Sequence, residues 1–382
     1  MASTTIGPIP RAAVAPNHDS GCNSTLAEPA GLPTGFPRAL DTKSAWVGLD
    51  MTRKEDDFIL KLTSSDIAEA ETAMAYFKEL ALGGDHVTRE NFLLPNLGKR
   101  LAQVSRDIHS GRGFAVIRGL DPKKYPVEDL TLLFLGIQSH IADMQGRQDK
   151  KGNMLVHIVA DSSTEQKAQH HRHSTAAITF HTEEAGHLVS WQTRSTAASG
   201  GKCIIASGHT IYNVLAATRP DMIRLLARSD WPFAFPRFHC RPILFHQDGN
   251  VIINFGRTPL TGSAAHPRSD SLPKLSARQL EALDSIEAIA KATQLEIATQ
   301  AGDMHFINNL TVLHRREGFV DGSDPTQKRH LVRMLLRDSK QGWAIPKELE
   351  RDWYEAFDKD ADRVWHLEPM PEGFFPLRIN TN

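Results

Sequence analysis

Apolar side chains recur along this chain at two spacings. In "SSDIAEAETAMAYFKELAL", Ile67, Ala70, Met74, Phe77 and Ala81 share one helical face, and the run opens on capping residues and stops at Gly83-Gly84. A surface helix is predicted there. A second helix is predicted from about 94 to 109. "RPDMIRLLA" puts Pro220 in a first turn, and "SARQLEALDSIEAIAKA" opens with Ser276 and Gln279 at capping-box spacing. The other spacing is that of strands. Short β-prone runs stand at 114–117, 154–159, 176–180, 202–206, 241–246, 251–255 and 329–337. Many short strands interrupted by helices predict a mainly β fold, a jelly roll with α-helices on its flanks.

The first 40 residues differ from the rest. They are rich in Pro, Gly, Ala, Ser and Thr, a composition that buries too little apolar surface to repay the entropy of ordering, so 1–40 is predicted to be a disordered tail. The remainder, 41–382, is read as one domain, with a helical part at 41–112, the jelly-roll core at 113–340 and a C-terminal segment at 341–382.

Charge and cysteine content narrow the class. The 382 residues carry 44 basic and 45 acidic side chains, a balance that argues against a polyanion held on a broad basic surface. No nucleic-acid partner is expected. Cys22, Cys203 and Cys240 are too few and too scattered for a disulfide framework or a zinc knuckle. The N-terminal "MASTTIGPIPRAAVAP" lacks a signal-peptide core, and no run reaches the roughly 18 apolar residues of a membrane span. The expectation is a cytoplasmic protein with a small-molecule substrate and no membrane partner; nothing in the pattern sets an oligomeric state.

The candidate chemistry starts in "ITFHTEEAGH". On a strand, residues i and i+2 project from one face, so His181 and Glu183 converge. Eighteen histidines and 45 acids in 382 residues predict about two H-x-D/E matches by chance, and there are three. His246 to Asp248 sits in an Asp-Gly hairpin signal, and His366 to Glu368 in a proline-rich stretch, so both have plain structural readings. What sets "HTE" apart is its company: His314 after a strand-like run in "GDMHFINNLTVLHRREGF", and Arg329 fifteen residues later. Two imidazoles and a carboxylate form the facial triad that holds non-haem iron(II) with positions open for a 2-oxo acid and O2. Arg329 suits the far carboxylate of a 2-oxoglutarate cosubstrate. Two other readings compete. The same donors suit a zinc-dependent hydrolase, though the P-C-x-x-C partner of a deaminase is missing from the chain; the other is a jelly-roll binding protein with a vestigial metal site.

These residues resemble the TauD/TfdA group of iron(II)- and 2-oxoglutarate-dependent dioxygenases within the clavaminate synthase-like superfamily. The resemblance runs through "GRGFAVIRGL", "QDKKG" from Gln148, "SGGKCIIA" from Ser199, Asn308-Asn309, His314, and R-x-x-x-R at Arg329 and Arg333. It implies a double-stranded β-helix (jelly-roll, cupin-like) core, with His181, Glu183 and His314 as catalytic iron ligands. It also implies that Arg329 grips the cosubstrate and that Arg333 meets an anionic group of the substrate, where the plainer reading is an ion-paired strand residue. Two departures stand out. H-x-E replaces H-x-D, as in the asparagine and arginine oxygenase branch, which points to an amino acid or amino-acid-like carboxylate. Cys203 replaces the threonine of the GG-x-T pattern, and a thiol is a far weaker partner for the cosubstrate. Gln148 and Asn309 either contact the substrate or hold a loop in place, and Ile345, with Trp343, either lines the pocket or packs. Glu184 and His187 either attend the site or fill buried hydrogen-bonded roles, and "HHRH" at 170–173 reads as a polar loop. The implied reaction couples conversion of 2-oxoglutarate to succinate and CO2 with hydroxylation, desaturation or oxidative cyclisation at an unactivated C–H bond.

Overall fold

The computed structural model describes residues 31–163, 173–264 and 266–369. Its larger sheet runs Ile59–Lys61, Phe114–Arg118, Met304–Asn308, Leu188–Ser195, His330–Arg337 and Met144–Gly146, with Val156–Val159 also paired to His330–Arg337. All its pairings are antiparallel except the first. A smaller sheet places Cys203–Ser207 between Leu295–Ile297 and Val312–Arg316. One apolar cluster draws on both sheets, with Val189, Trp191 and Leu335 from the larger and Ile205, Ile297 and Val312 from the smaller. This is a jelly-roll core, as the strand-rich pattern predicts.

Period-two alternation explains the layering. In Cys203–Ser207, Cys203 and Ile205 enter the cluster between the sheets, while Ile204 and Ala206 join a second cluster. That second cluster is shared with the helices Gly208–Thr218, Pro220–Leu226 and Ala277–Thr293. A third lies between the outer face of the larger sheet and the helices Ser64–Glu79, Leu97–Ser110 and Val127–Ser139. With both faces covered, the central strands are buried along nearly their whole length. The described residues from Leu32 on form one compact unit, and no helix among them is long and apolar enough to cross a membrane.

Local signals are realised where chemistry is local. Ser276 and Gln279 close a reciprocal capping box, the Gln279 amide donating to Ser276 Oγ at 3.2 Å and the Ser276 amide to Gln279 Oε1 at 2.9 Å. Leu244–Gln247 and Asn250–Ile253 form a hairpin that turns at Asp248 and Gly249, both at positive φ. Two expectations need correction. The run 176–180 is not a strand: the Ile178 amide donates to the Arg316 carbonyl, but the Phe180 amide donates to the Glu287 carboxylate, and ladder pairing begins only at His181. The tail does not reach residue 40. From Leu32 the chain packs on the helix Gly208–Thr218: Tyr212 donates to the Pro37 carbonyl at 2.5 Å, and Asn213 bonds both backbone groups of Leu40. Residues 1–30 lie outside the described residues.

Candidate metal centre

His181 and His314 meet because their backbones do. Each donates its amide to the other's carbonyl at 3.0 Å, the closely bonded antiparallel pair that sets two side chains on one face. Their ring centroids are 4.3 Å apart. The neighbouring Thr182 amide donates to the Phe255 carbonyl at 2.8 Å, so the loop carrying His181 and Glu183 is tied to the fold on both sides. Glu183 is held through Asn309. The Glu183 amide donates to Asn309 Oδ1 at 2.6 Å, and Asn309 Nδ2 donates to the carbonyls of Glu183 and Gly186 at 3.0 and 3.1 Å, with Ala185 at 3.4 Å.

One donor atom from each of His181, Glu183 and His314 lies within 4.8 Å of the others, and all three residues are buried. His181 Nδ1 donates to the Thr179 carbonyl at 2.9 Å, which leaves Nε2 as its lone-pair donor. His314 Nε2 stands 3.7 Å from Glu183 Oε1. Burial pushes His181 down to about 3, so it is a neutral ligand. Burial alone would raise the Glu183 carboxyl, but Arg333, with both histidines, outweighs it and holds the group well below the usual carboxylate range. The neutral His181 imidazole and the ionised Glu183 carboxylate are donors in the state a divalent metal requires, and His314 supplies a third donor at the same point, so these residues fit iron(II).

The three also line a cleft with Trp191, Cys203, Arg316, Arg329 and Arg333. Arg329 arrives over the glycine pair. Gly200 and Gly201 both have left-handed φ, and a Cβ on Gly201 would stand 3.1 Å from Arg329 Cδ. Arg329 Nη1 is buried and has no hydrogen-bond partner among the described residues, a donor suited to the distal carboxylate of a keto acid. Cys203 faces the same space, its thiol pushed up to about 12 by burial.

The other expected site residues divide. Arg333 lines the cleft, but Nη1 pairs with Glu183 and Nε donates to Gln148 Oε1 at 2.9 Å. Gln148 is thus an orienter of Arg333, its Nε2 donating to the Met154 and Arg333 carbonyls. Asn309 organises the ligand loop. Ile345 packs with Trp343 against the core between the sheets and is not among the cleft-lining residues. His187 bonds the backbone of Trp343 and Asp338, a structural role. Of "HHRH", residues 170–172 lie outside the described residues, while His173 is buried. Sequence reading passed over Arg316, although its position two beyond His314 on a strand puts both on one face.

A jelly roll holding two histidines and a glutamate around one point, beside a cation-lined cleft, is the construction of a mononuclear non-haem iron oxygenase. The model of the Taurine catabolism dioxygenase TauD, TfdA family matches residues 78–335, and the chain belongs to that family. It is an iron(II)/2-oxoglutarate-dependent dioxygenase. A taurine hydroxylase-like protein of Stachybotrys chartarum is 36% identical over 348 residues, covering 87% of this chain and 89% of the relative. FR-33289 synthase of Streptomyces rubellomurinus is 22% identical over 282 residues, 70% of this chain and 82% of the relative. The fold is also that of asparagine oxygenase in complex with Fe(II), 2S,3S-3-hydroxyasparagine and succinate, at TM-score 0.60 and 17% identity over 75% of this chain and 98% of that one. OrfP in complex with Fe and alpha-ketoglutaric acid aligns at TM-score 0.55 and 17% identity over 74% and 94%.

Proposed function

We propose that this dioxygenase oxidises an unactivated C–H bond of a small amino acid or amino-acid-like carboxylate. His181, Glu183 and His314 hold the iron, and Arg329 holds the distal carboxylate of 2-oxoglutarate. The bound metal supplies the redox chemistry by which O2 and 2-oxoglutarate become succinate, CO2 and one oxygen equivalent for the substrate. The protein's own part is positional. The Thr179 carbonyl fixes the His181 tautomer, Asn309 fixes the Glu183 backbone, and the buried cleft presents one C–H bond while limiting solvent.

The observation that carries the substrate class is charge. Five of the residues that line the cleft are cationic and one, Glu183, is acidic. Arg315 turns its guanidinium to Gln294 at 3.0 Å and Lys202 pairs with Glu296 at 2.9 Å, which leaves Arg316, Arg329 and Arg333. A divalent metal, Glu183 and doubly charged 2-oxoglutarate together carry one negative charge, which one guanidinium offsets. The remaining positive charge favours a substrate with an acid group. The relatives' names point the same way, since taurine, asparagine and arginine each join an amino to an acid group.

The test is a substrate-dependent succinate screen over amino acids, aminosulfonates and amine-only analogues, with product masses recorded. Acid-bearing amines should stimulate succinate release above the uncoupled rate. A gain of one oxygen marks hydroxylation, and a loss of two hydrogens marks desaturation or cyclisation. Stimulation by uncharged or purely cationic compounds alone would refute the substrate class.

A further inference from the structure

Arg316 is the cleft residue to which neither the triad nor the expected cosubstrate anchor gives a task. It ends the strand Val312–Arg316, and in the pairing with Cys203–Ser207 it stands directly across from Cys203. Directly opposed residues share a face of the sheet, so Arg316 and Cys203 both border the cleft, as their place in its lining confirms. Cys203 is the position where the family pattern carries a threonine hydroxyl. The replacement therefore removes a hydrogen-bonding group next to a guanidinium.

The guanidinium is built in place rather than left on a surface. Arg316 is 6% exposed. Nη2 donates to the carbonyls of Ser174 and Ala176 at 2.7 and 2.6 Å and approaches Ser174 Oγ at 3.4 Å. Nε and Nη1 have no hydrogen-bond partner among the described residues. Arg329 Nη1 is in the same condition. Both guanidinium groups stand over one ring, their Cζ atoms lying 4.9 and 5.3 Å from the centroid of Phe319. Asp321 Oδ1 accepts the Arg329 backbone amide at 2.8 Å. Two buried cations that line one cleft, each with unbonded donors, call for an anion beside them.

We propose that Arg316 and Arg329 jointly clamp the distal carboxylate of 2-oxoglutarate, with Arg316 replacing the hydroxyl that Cys203 does not offer. This rests on the reading above that Arg329 anchors that carboxylate. The pattern of exchange is specific: a neutral hydroxyl at position 203 is traded for a charged donor at the cross-strand position.

The test is calorimetric titration of the iron(II)-loaded enzyme without oxygen, using 2-oxoglutarate and 2-oxobutyrate, which shares the chelating keto acid but lacks the distal carboxylate. Arg316→Met should weaken 2-oxoglutarate binding on the order of ten- to a hundredfold, the worth of a charge-assisted hydrogen bond. 2-Oxobutyrate binding should change less than about twofold. Adding Cys203→Thr to Arg316→Met should recover part of the lost affinity. Equal weakening of both keto acids would make Arg316 purely structural and overturn the proposal. If Arg329→Met discriminates between the two while Arg316→Met does not, the clamp fails and the anchor stands; if neither discriminates, both fall. Should Arg316→Met not fold, a crystal structure of the wild-type enzyme with succinate decides. An Arg316 nitrogen within about 4 Å of a carboxylate oxygen supports the clamp, and a longer separation overturns it.

Discussion

Asn309→Ala isolates the physical link between the fold and the metal centre. The side chain is 1% exposed and is consumed by one short segment, 183–186. It accepts the Glu183 amide at 2.6 Å and donates to the carbonyls of Glu183 and Gly186 at 3.0 and 3.1 Å; the 3.4 Å approach to Ala185 shares those same two hydrogens. Three bonds at about 1 kcal/mol each put the loss near 3 kcal/mol, because alanine strips the Glu183 amide and the Gly186 carbonyl of this partner, while Asn254 Nδ2 still donates to the Glu183 carbonyl at 3.3 Å. For a chain of this size that lowers the melting midpoint by about 4 °C. The loss also falls on the residue that carries the metal carboxylate, so metal affinity should drop roughly ten- to a hundredfold, as for other groups that orient a ligand. Asn309→Asp keeps Oδ1 but replaces the amide donors with oxygen facing three carbonyls, and should be worse. Thermal melts with and without metal, and calorimetric titration with cobalt(II) as an oxygen-stable probe, measure both quantities. A midpoint shift under about 1 °C with metal affinity within about twofold of wild type would refute the account of Asn309 as organiser of the Glu183 loop.

Other expectations follow from the same geometry. His181→Ala and His314→Ala should each abolish metal-dependent succinate release while leaving far-UV circular dichroism unchanged; metal-dependent turnover retained in either variant removes that residue from the ligand set. Arg329→Ala should raise the apparent KM for 2-oxoglutarate at least about tenfold, with a much smaller change for the organic substrate; the reverse pattern reassigns Arg329 to the substrate. Gln148→Leu removes the acceptor at 2.9 Å from Arg333 Nε, so it should raise KM for acid-bearing substrates several-fold; equal KM ratios with and without the acid group would show that Arg333 does not read that group.

What could be read from the sequence was what depends on near neighbours or on strict alternation. His181 and Glu183 are two residues apart, and the capping box at Ser276 spans three. The strand Leu188–Ser195 escaped notice although it lies between Met304–Asn308 and His330–Arg337. Its buried Ser190, Gln192 and Thr193 break the apolar run; Gln192 Nε2 donates to the distant Leu130 carbonyl at 3.3 Å, while Ser190 Oγ and Thr193 Oγ1 have no hydrogen-bond partner among the described residues, so neither periodicity nor local pairing marks the strand. Gln148 and Asn309 were undecidable for a similar reason. A side-chain amide serves whatever backbone or cation the fold brings to it, and Gln148 reaches Arg333 across 185 positions. Arg316 was hidden by its neighbour, since Arg315-Arg316 reads as a solvated charge pair until alternation sends one to Gln294 and the other into the cleft.

Arg333 shows how the site joins these levels. Its position in R-x-x-x-R suggests an anion, and the nearest anion in the fold is the protein's own Glu183. An ionised carboxylate offers about four lone-pair sites on two oxygens, so serving a guanidinium does not bar it from a metal. The guanidinium does keep the carboxylate ionised despite a burial that would otherwise favour the neutral acid. A change at Arg333 therefore reaches the metal through Glu183 before it reaches any substrate. Only KM ratios measured at saturating iron, between substrates that differ solely in an acid group, separate the two roles.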